Sequence, residues 1–419
     1  MKAVIKNARF LWLLSSQIAL TFGDGLMRMG LVEVLREHQH FDKRVEIAKL
    51  SFAVAVPGLL FGPLVMVVLD RWQRRSVLIV SDVIRGVVVL AIAVWLLPLL
   101  SGQVEDRSLQ LVYWMTGVLG IIATFYLAAR SALLPNLVDT DDLVHANTIF
   151  GITLALATVG GITLGGLIAE KVGVLTTVLA NVAMCLVSAG LLWKIRMVPH
   201  ATTATQYPGT RNSWTELRIG LEYLWTHPTA MPLVLLNGVF MFIVGILAVV
   251  FVGYAMDTLR LTTSQVGYLA LAGGVGAAAG IGSLSTEHRW TKSRWFPLAH
   301  LVIMGGALIM LALTVRIWVA TIGIVVLGGV IATMLIYFDA RLQAQVEDAR
   351  RGAVFAARGM LTSATMIVAF WLQFGTDLFR RTSAPTVFFW LGVGSVVVAV
   401  LAVVMVQARK QPVTTGTVA

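Results

Sequence analysis

The chain has 419 residues, 58% of them hydrophobic and only 13% charged, with a mean hydropathy of +0.85. Soluble domains run near a quarter charged, so this composition excludes a soluble fold of this size. The formal net charge of +11 would suggest nucleic acid in a soluble protein; in a membrane protein it points to topology, because Lys and Arg gather on the cytoplasmic side.

The apolar residues come in blocks, many of them long enough to carry a helix across about 30 Å of hydrocarbon. Backbone groups in that layer must pair within each segment, which makes helices the default. The blocks lack the alternation of barrel strands. Twelve spans are predicted, at 10–35, 47–69, 77–100, 109–130, 144–168, 172–194, 230–256, 263–285, 295–315, 317–340, 353–378 and 385–407. The first starts near Phe10, is too long for a cleavable leader and has no small-residue cleavage site, so a retained span is expected. Arg316 alone marks the turn between spans 9 and 10. An even number of spans puts both termini on one side. The tails and connections of that side hold 18 Lys and Arg against 10 opposite, which predicts cytoplasmic termini.

Span 1 carries Asp24, Arg28 and Glu33. Ionisable residues are costly inside a membrane and are functional candidates for that reason. Asp24 and Arg28 are four apart, so they share a helix face and are expected to pair. Gly23 and Gly25, on either side of Asp24, would allow close approach or local irregularity. A carboxylate in a half-dry cavity is a candidate proton exchanger or ligand for a cationic headgroup; the Arg28 charge works against proton uptake. Glu33 lies further along, and an interface position is its plainer reading. Next come His38 and His40, beside Glu37 and Asp42. A solvated outer loop explains them better than a metal site, and no metal or cofactor is expected.

Between spans 2 and 3 an acid and three cations, Asp70, Arg71, Arg74 and Arg75, crowd one short turn. They read as a positive-inside anchor or as a charge latch that breaks when the cytoplasmic side opens. In span 3, Asp82 and Arg85 are three apart and are expected to pair near the cytoplasmic end. Arg130, at the inner end of span 4, either binds an anionic group or snorkels. Gly161, Gly165 and Gly166 in span 5 suit close helix packing. Cys185, the only cysteine, sits in an apolar block and is expected to pack.

The long polar stretch 195–229 divides the chain into residues 1–194 and 230–419, six spans each. Its second part, Ser213 to Trp225, has Leu217, Leu221 and Leu224 on one face, with Ser213 and Glu216 placed as a capping box, and predicts a helix lying in the membrane interface. In span 8, Gly273, Gly274, Gly276 and Gly280 are expected to serve helix packing rather than a phosphate loop, since no strand precedes them. Asp339 and Arg341 mark the inner end of span 10, and Gln373 shares a face with Asp377 in span 11.

The run Leu69 to Arg75 resembles the loop between spans 2 and 3 of the major facilitator superfamily, roughly Gly-x-Leu-x-Asp-Arg-x-Gly-Arg-Arg. Asp70, Arg71, Arg74 and Arg75 match it, while Met66 and Gln73 stand where the family has glycine. The run Ala129 to Val138, with Leu143, Ala146, Asn147, Gly161, Gly165 and Gly166, resembles the exporter branch that includes macrolide and multidrug effluxers, siderophore exporters and lysophospholipid transporters. Antiporters of the family often carry Gly-Pro-x-x-Gly-Gly in span 5; here Ile162 replaces the proline. Phe22, Gly23 and Asp24 resemble span 1 of lysophospholipid transporters, where an acid contacts the substrate route. Glu287, His288, Arg289, Lys292 and Arg294 lie where a second latch would sit, and Gln343 to Arg358, with Arg350, Arg351 and Gly352, resembles the family's connection from span 10 to span 11.

The resemblance implies an all-α membrane protein of two six-helix bundles related by a pseudo-two-fold axis along the membrane normal. It implies a monomeric secondary transporter in the bacterial inner membrane that exports a hydrophobic drug or amphiphile by alternating access, with proton coupling. Asp24, Arg28, Glu33 and Arg130 are then the candidate substrate and proton site, and Asp70, Arg71, Arg74 and Arg75 the gating latch. A lipid flippase of the same fold is the rival within the class. An enzyme would need a clustered acid–base or metal constellation, and only scattered pairs are present. A receptor would be expected to append a signalling domain, and few residues follow Lys410.

Overall fold

A computed structural model of the chain describes residues 6–37, 42–69, 72–100, 106–138, 143–195, 213–286, 293, 295–346, 348–376 and 381–408. Among them are thirteen α-helices and no strand. Six precede the long polar connection: α1 (Ala8–Glu37), α2 (Lys43–Leu69), α3 (Arg74–Leu100), α4 (Asp106–Leu133), α5 (Leu143–Lys171) and α6 (Val174–Trp193). A short helix follows, α7 (Ser213–Thr226), and then α8 (Ala230–Gly253), α9 (Thr263–Thr286), α10 (Phe296–Leu313), α11 (Ile317–Gln345), α12 (Asp348–Gly375) and α13 (Ala384–Ala408). Ten of these helices are long and apolar enough to cross a membrane. The two charged ones, α1 and α2, are 30 and 27 residues long, so twelve helices have the length to span the bilayer at about 1.5 Å per residue.

Local chemistry fixes several helix ends. Asn7 caps α1 by accepting from the amides of Arg9 (3.0 Å) and Phe10 (3.3 Å). Asp42 does the same for α2 through Arg44 (3.1 Å). Gly173 turns α5 into α6 at φ 118°, ψ 157°, a conformation open to glycine and strained for other residues. Thr314 to Arg316 form the narrow break between α10 and α11, with Thr314 Oγ1 accepting from the Arg316 amide (3.1 Å).

By packing, the chain forms two compact units. One holds residues 1–271 and 342–381; the other holds 272–341 and 382–419. In the first, α1 packs on α5 and α6, α2 on α4 and α12, α3 on α4 and α6, and α12 on α7 and α8. This division differs from the one drawn at the polar connection, because the start of α9 and all of α12 pack with α1–α8. In the second unit, glycines let backbones meet. A Cβ at Gly280 would lie 2.6 Å from the Gly329 carbonyl oxygen, and one at Gly305 would lie 2.6 Å from that of Gly392. Gly273, Gly276 and Gly280 of α9 are therefore packing residues: lipid offers no hydrophobic drive to bring apolar helices together, and close contact holds them instead.

The helix α7 forms where the Leu pattern predicts it, but its Leu face does not meet lipid. Leu217 and Leu224 are buried against Leu342, Val346, Val354 and Ala357. Gly220 lies directly against the Ala353 carbonyl, and Tyr223 Oη donates to the Gln345 carbonyl (3.1 Å). Trp225, Arg218 and Glu222 remain exposed. Residues 196–212 of the linker, and the acids and cations Asp70, Arg71, Glu287, His288, Arg289, Lys292, Arg294 and Asp377, with His38 and His40, lie outside the described residues. The side chains of Ser213, Glu216 and Arg351 are not described either.

Candidate functional site

Among the described residues of the first six helices, two apolar clusters are buried. One gathers Phe10, Leu13, Leu20, Leu78, Leu133, Cys185 and Leu192; the other gathers Met27, Leu31, Val89, Ile92, Leu96 and Val178. Asp24, Asp82 and Arg85 fall in the chain between these sets, on α1 and α3. A polar seam thus separates two greasy layers near the middle of α1, which is where an ionisable group is most costly and most informative.

The packing of α1 explains how Asp24 is presented. A Cβ at Gly25 would sit 2.7 Å from the Gly161 backbone, and one at Gly165 would sit 2.8 Å from Leu26 Cα. On the other flank a Cβ at Gly23 would sit 2.5 Å from Asn181 Oδ1, and Gly30 lies directly against Thr177. The glycines beside Asp24 therefore seat α1 between α5 and α6 without breaking the helix. A third face is left over, and Gln17, Thr21, Asp24 and Arg28 line it at helical spacing.

Asp24 Oδ2 is 3.4 Å from Arg85 Nη1; the Asp24 side chain is 42% exposed and that of Arg85 10%. The expected pairing of Asp24 with Arg28 is corrected here. The acid turns to a cation from α3, and Arg28 is exposed with no acidic partner among the described residues. The expected Asp82–Arg85 pairing is corrected as well. Asp82 is fully buried and accepts from Ser188 Oγ of α6 at 2.5 Å. Its Oδ1, Arg85 Nε and Tyr126 Oη are buried, with no hydrogen-bond partner among the described residues. Arg85 stays within electrostatic reach of both acids. Cys185 is buried beside this network and donates weakly to Asn181 (3.7 Å), whose Nδ2 reaches Met27 Sδ (3.3 Å).

Arg130 lies at the end of the same α1 stripe. Its Nη1 is 3.4 Å from Gln17 Oε1 and its guanidinium lies 5.4 Å from the Phe150 ring centroid. Both partners are neutral. Gln17 in turn donates to Thr21 (3.1 Å).

Glu33 is placed apart from this group. It is 1% exposed and accepts from Arg36 (Nε 2.9 Å, Nη2 2.5 Å) and from Thr263 Oγ1 of α9. Around it, Thr163 Oγ1 donates to the Gly267 carbonyl (3.0 Å) and the Ser264 amide donates to Glu170 Oε2 (2.8 Å). A Cβ on Gly166 would fall 2.5 Å from the Thr263 carbonyl oxygen. Phe52 of α2 meets Phe374 of α12 edge-on at 5.3 Å. These contacts join α1, α2 and α5 to α9 and α12 at the end of the bundle that carries the α1–α2 and α5–α6 connections.

At the opposite end, Arg74 donates to the Ala132 carbonyl (2.6 Å), and Arg75 donates to Leu192 (3.1 Å) and Trp193 (2.5 Å). They hold the C-termini of α4 and α6, where helix dipoles favour cations. Their described partners all lie within the first six helices; Asp70 and Arg71 are not among the described residues. Downstream, Asn237 of α8 is buried and accepts from Arg358 (3.4 Å) and Thr362 (3.1 Å) of α12.

Sequence reasoning missed Ser188, Asn181, Tyr126, Gln17, Thr263 and Glu170. Asn181 and Ser188 did carry a signal: two polar residues seven apart, on one face of an otherwise apolar span.

The model of the Major Facilitator Superfamily matches residues 13–370, and the chain belongs to that family. Its ten long apolar helices fit a multi-pass membrane protein of that family. An uncharacterized MFS-type transporter of Mycobacterium tuberculosis is 31% identical over 146 residues, and so is one of Mycobacterium bovis. Each match covers 33% of this chain and 30% of the relative. Among solved structures, a variant of the nucleoside transporter NupG aligns with a TM-score of 0.73 at 12% identity, over 95% of this chain and 99% of that one. A bacterial homologue of the iron transporter ferroportin, in an inward-facing state, aligns at 0.70 with 16% identity over 96% and 99%. Identities this low establish the fold alone.

Proposed function

We propose that this chain exports a hydrophobic drug or amphiphile across a bacterial inner membrane by alternating access, coupled to protons. The observation that carries the reading is the Asp24–Arg85 pair: a half-open carboxylate in mid-span, held by a buried cation that also faces the sealed Asp82. One cation between two carboxylates leaves the cluster room for one proton. A proton arriving at Asp24 releases Arg85 towards Asp82, so that the excess negative charge is neutralised while the contact between α1 and α3 loosens.

The Lys and Arg distribution supports cytoplasmic termini, which puts the contacts around Glu33 and Thr263 on the outer side. In this reading they are the outer seal, and α9 must part from α1 and α5 for cargo to leave. Gly166 and Gly267 let that seal close backbone to backbone, since a Cβ on the first would meet Thr263 and one on the second would meet Thr163.

The test is reconstitution with an imposed pH gradient and a fluorescent amphiphile. Asp24→Asn should reduce gradient-driven export to background while the protein remains monodisperse and folded. Undiminished export would end the proposal. Gradient-independent movement of a headgroup-labelled lysophospholipid would favour the flippase instead.

A further inference from the structure

We infer that the transported molecule carries an anionic group, and that Arg28 receives it. The inference rests on the reading of α1 as a wall of the transport route and goes beyond it by naming the charge of the cargo.

Helix α1 shows three faces. Phe22, Gly25 and Leu26 meet α5, while Gly23, Met27 and Gly30 meet α6. Gln17, Thr21, Asp24 and Arg28 occupy the face that remains. A stripe with two ionisable residues is intolerable against lipid tails, so this face borders water or cargo. Along it the acid is already engaged: Asp24 belongs to Arg85, and Asp82 is buried behind. Arg28 is exposed and has no acidic partner among the described residues.

Arg130, eleven residues away along the stripe at Gln17, or about 16 Å of helix, has only neutral partners among the described residues, the Gln17 amide and the Phe150 ring. The surplus charge of the route is therefore positive, with two acids against Arg28, Arg85 and Arg130. A guanidinium presents a planar fork of donors that fits a carboxylate, phosphate or sulfonate in bidentate fashion. A cationic headgroup would find no free acid and would meet Arg28.

The experiment uses the full chain in a neutral detergent and four probes: octyl phosphate, octyl glucoside, octyltrimethylammonium and inorganic phosphate. Binding is followed by calorimetry and movement by counterflow in vesicles. Octyl phosphate should bind at least tenfold more tightly than octyltrimethylammonium. Arg28→Gln should lower octyl phosphate binding at least tenfold and leave octyl glucoside unchanged, and Arg28→Lys should recover part of the loss. A unimodal melting transition near that of the parent shows that the variants are folded.

Equal binding of the three octyl compounds, or an equal loss for all of them in Arg28→Gln, overturns the inference. Preference for octyltrimethylammonium with proton-driven flux also overturns it and leaves the exporter reading intact. Competition by inorganic phosphate as strong as that by octyl phosphate supports the anion site and removes the amphiphile. No saturable binding of any probe overturns both.

Discussion

Asp24 and Glu33 are two acids on one helix, nine residues apart, and they live in different worlds. Asp24 is half open, faces the leftover side of α1 and pairs with a cation from another helix. Glu33 is sealed, pairs with Arg36 one turn along its own helix, and accepts from Thr263 of α9. The contrast teaches that an intramembrane acid has no single role. Exposure and the origin of the partner decide whether it can trade a proton or a ligand, or whether it holds a joint. A buried carboxylate with its hydrogen bonds filled is a fastener; a half-open one with a single partner can exchange it.

The largest expected effect is on transport: Asp24→Asn should cost at least a hundredfold in proton-driven flux, whereas Glu33→Gln should cost less than tenfold. Glu33→Gln should instead speed labelling from outside of a cysteine placed by Thr163→Cys in a Cys185→Ser background, several-fold over the same cysteine with Glu33 intact. Equal flux losses for the two acids, with no change in labelling, would erase the distinction.

Next in size is the packing that seats Asp24. Gly25→Val drives side-chain carbons into the Gly161 backbone. Overpacking of this kind costs about 3 kcal/mol and should lower the melting temperature in detergent. A variant with unchanged melting would mean that α1 and α5 do not meet as closely as the glycines indicate.

The smallest expected effect is at Gly173. A Cβ there meets nothing within 4 Å, so the cost is conformational. Gly173→Ala should destabilise by about 1–2 kcal/mol and leave flux per folded molecule unchanged. A flux defect would tie the α5–α6 turn to gating.

Much of the fold was legible in the chain because lipid is a strict solvent. It demands about twenty apolar residues per crossing and satisfied backbone at every step. Those demands write themselves into hydropathy, so all twelve long helices appear near their expected places, and a single Arg316 was enough to locate a turn. The short helix α7 was legible from Leu217, Leu221 and Leu224 for the same reason of periodicity. What covers that face was not, since burial against α11 and α12 and burial in an interface make the same pattern.

The site was legible only in part. Asp24 stood out because charge is rare in a span. Its partner did not, because spacing of four along one helix favours Arg28 while the rotation of α1 and α3 about their axes brings Arg85 instead. Ser188, Asn181 and Thr263 were invisible as partners, since a hydroxyl or an amide in a span often only bonds back to its own helix.

Hydropathy along the chain was enough to tell the solvent, the number of long apolar helices and the residues rare enough to matter. Tertiary structure alone decided which charges meet, which acid is open and which is shut, and where helices join across the linker. The physical reason is range: hydropathy and capping act within one helix, whereas charge pairing and close packing depend on how separate helices turn towards one another.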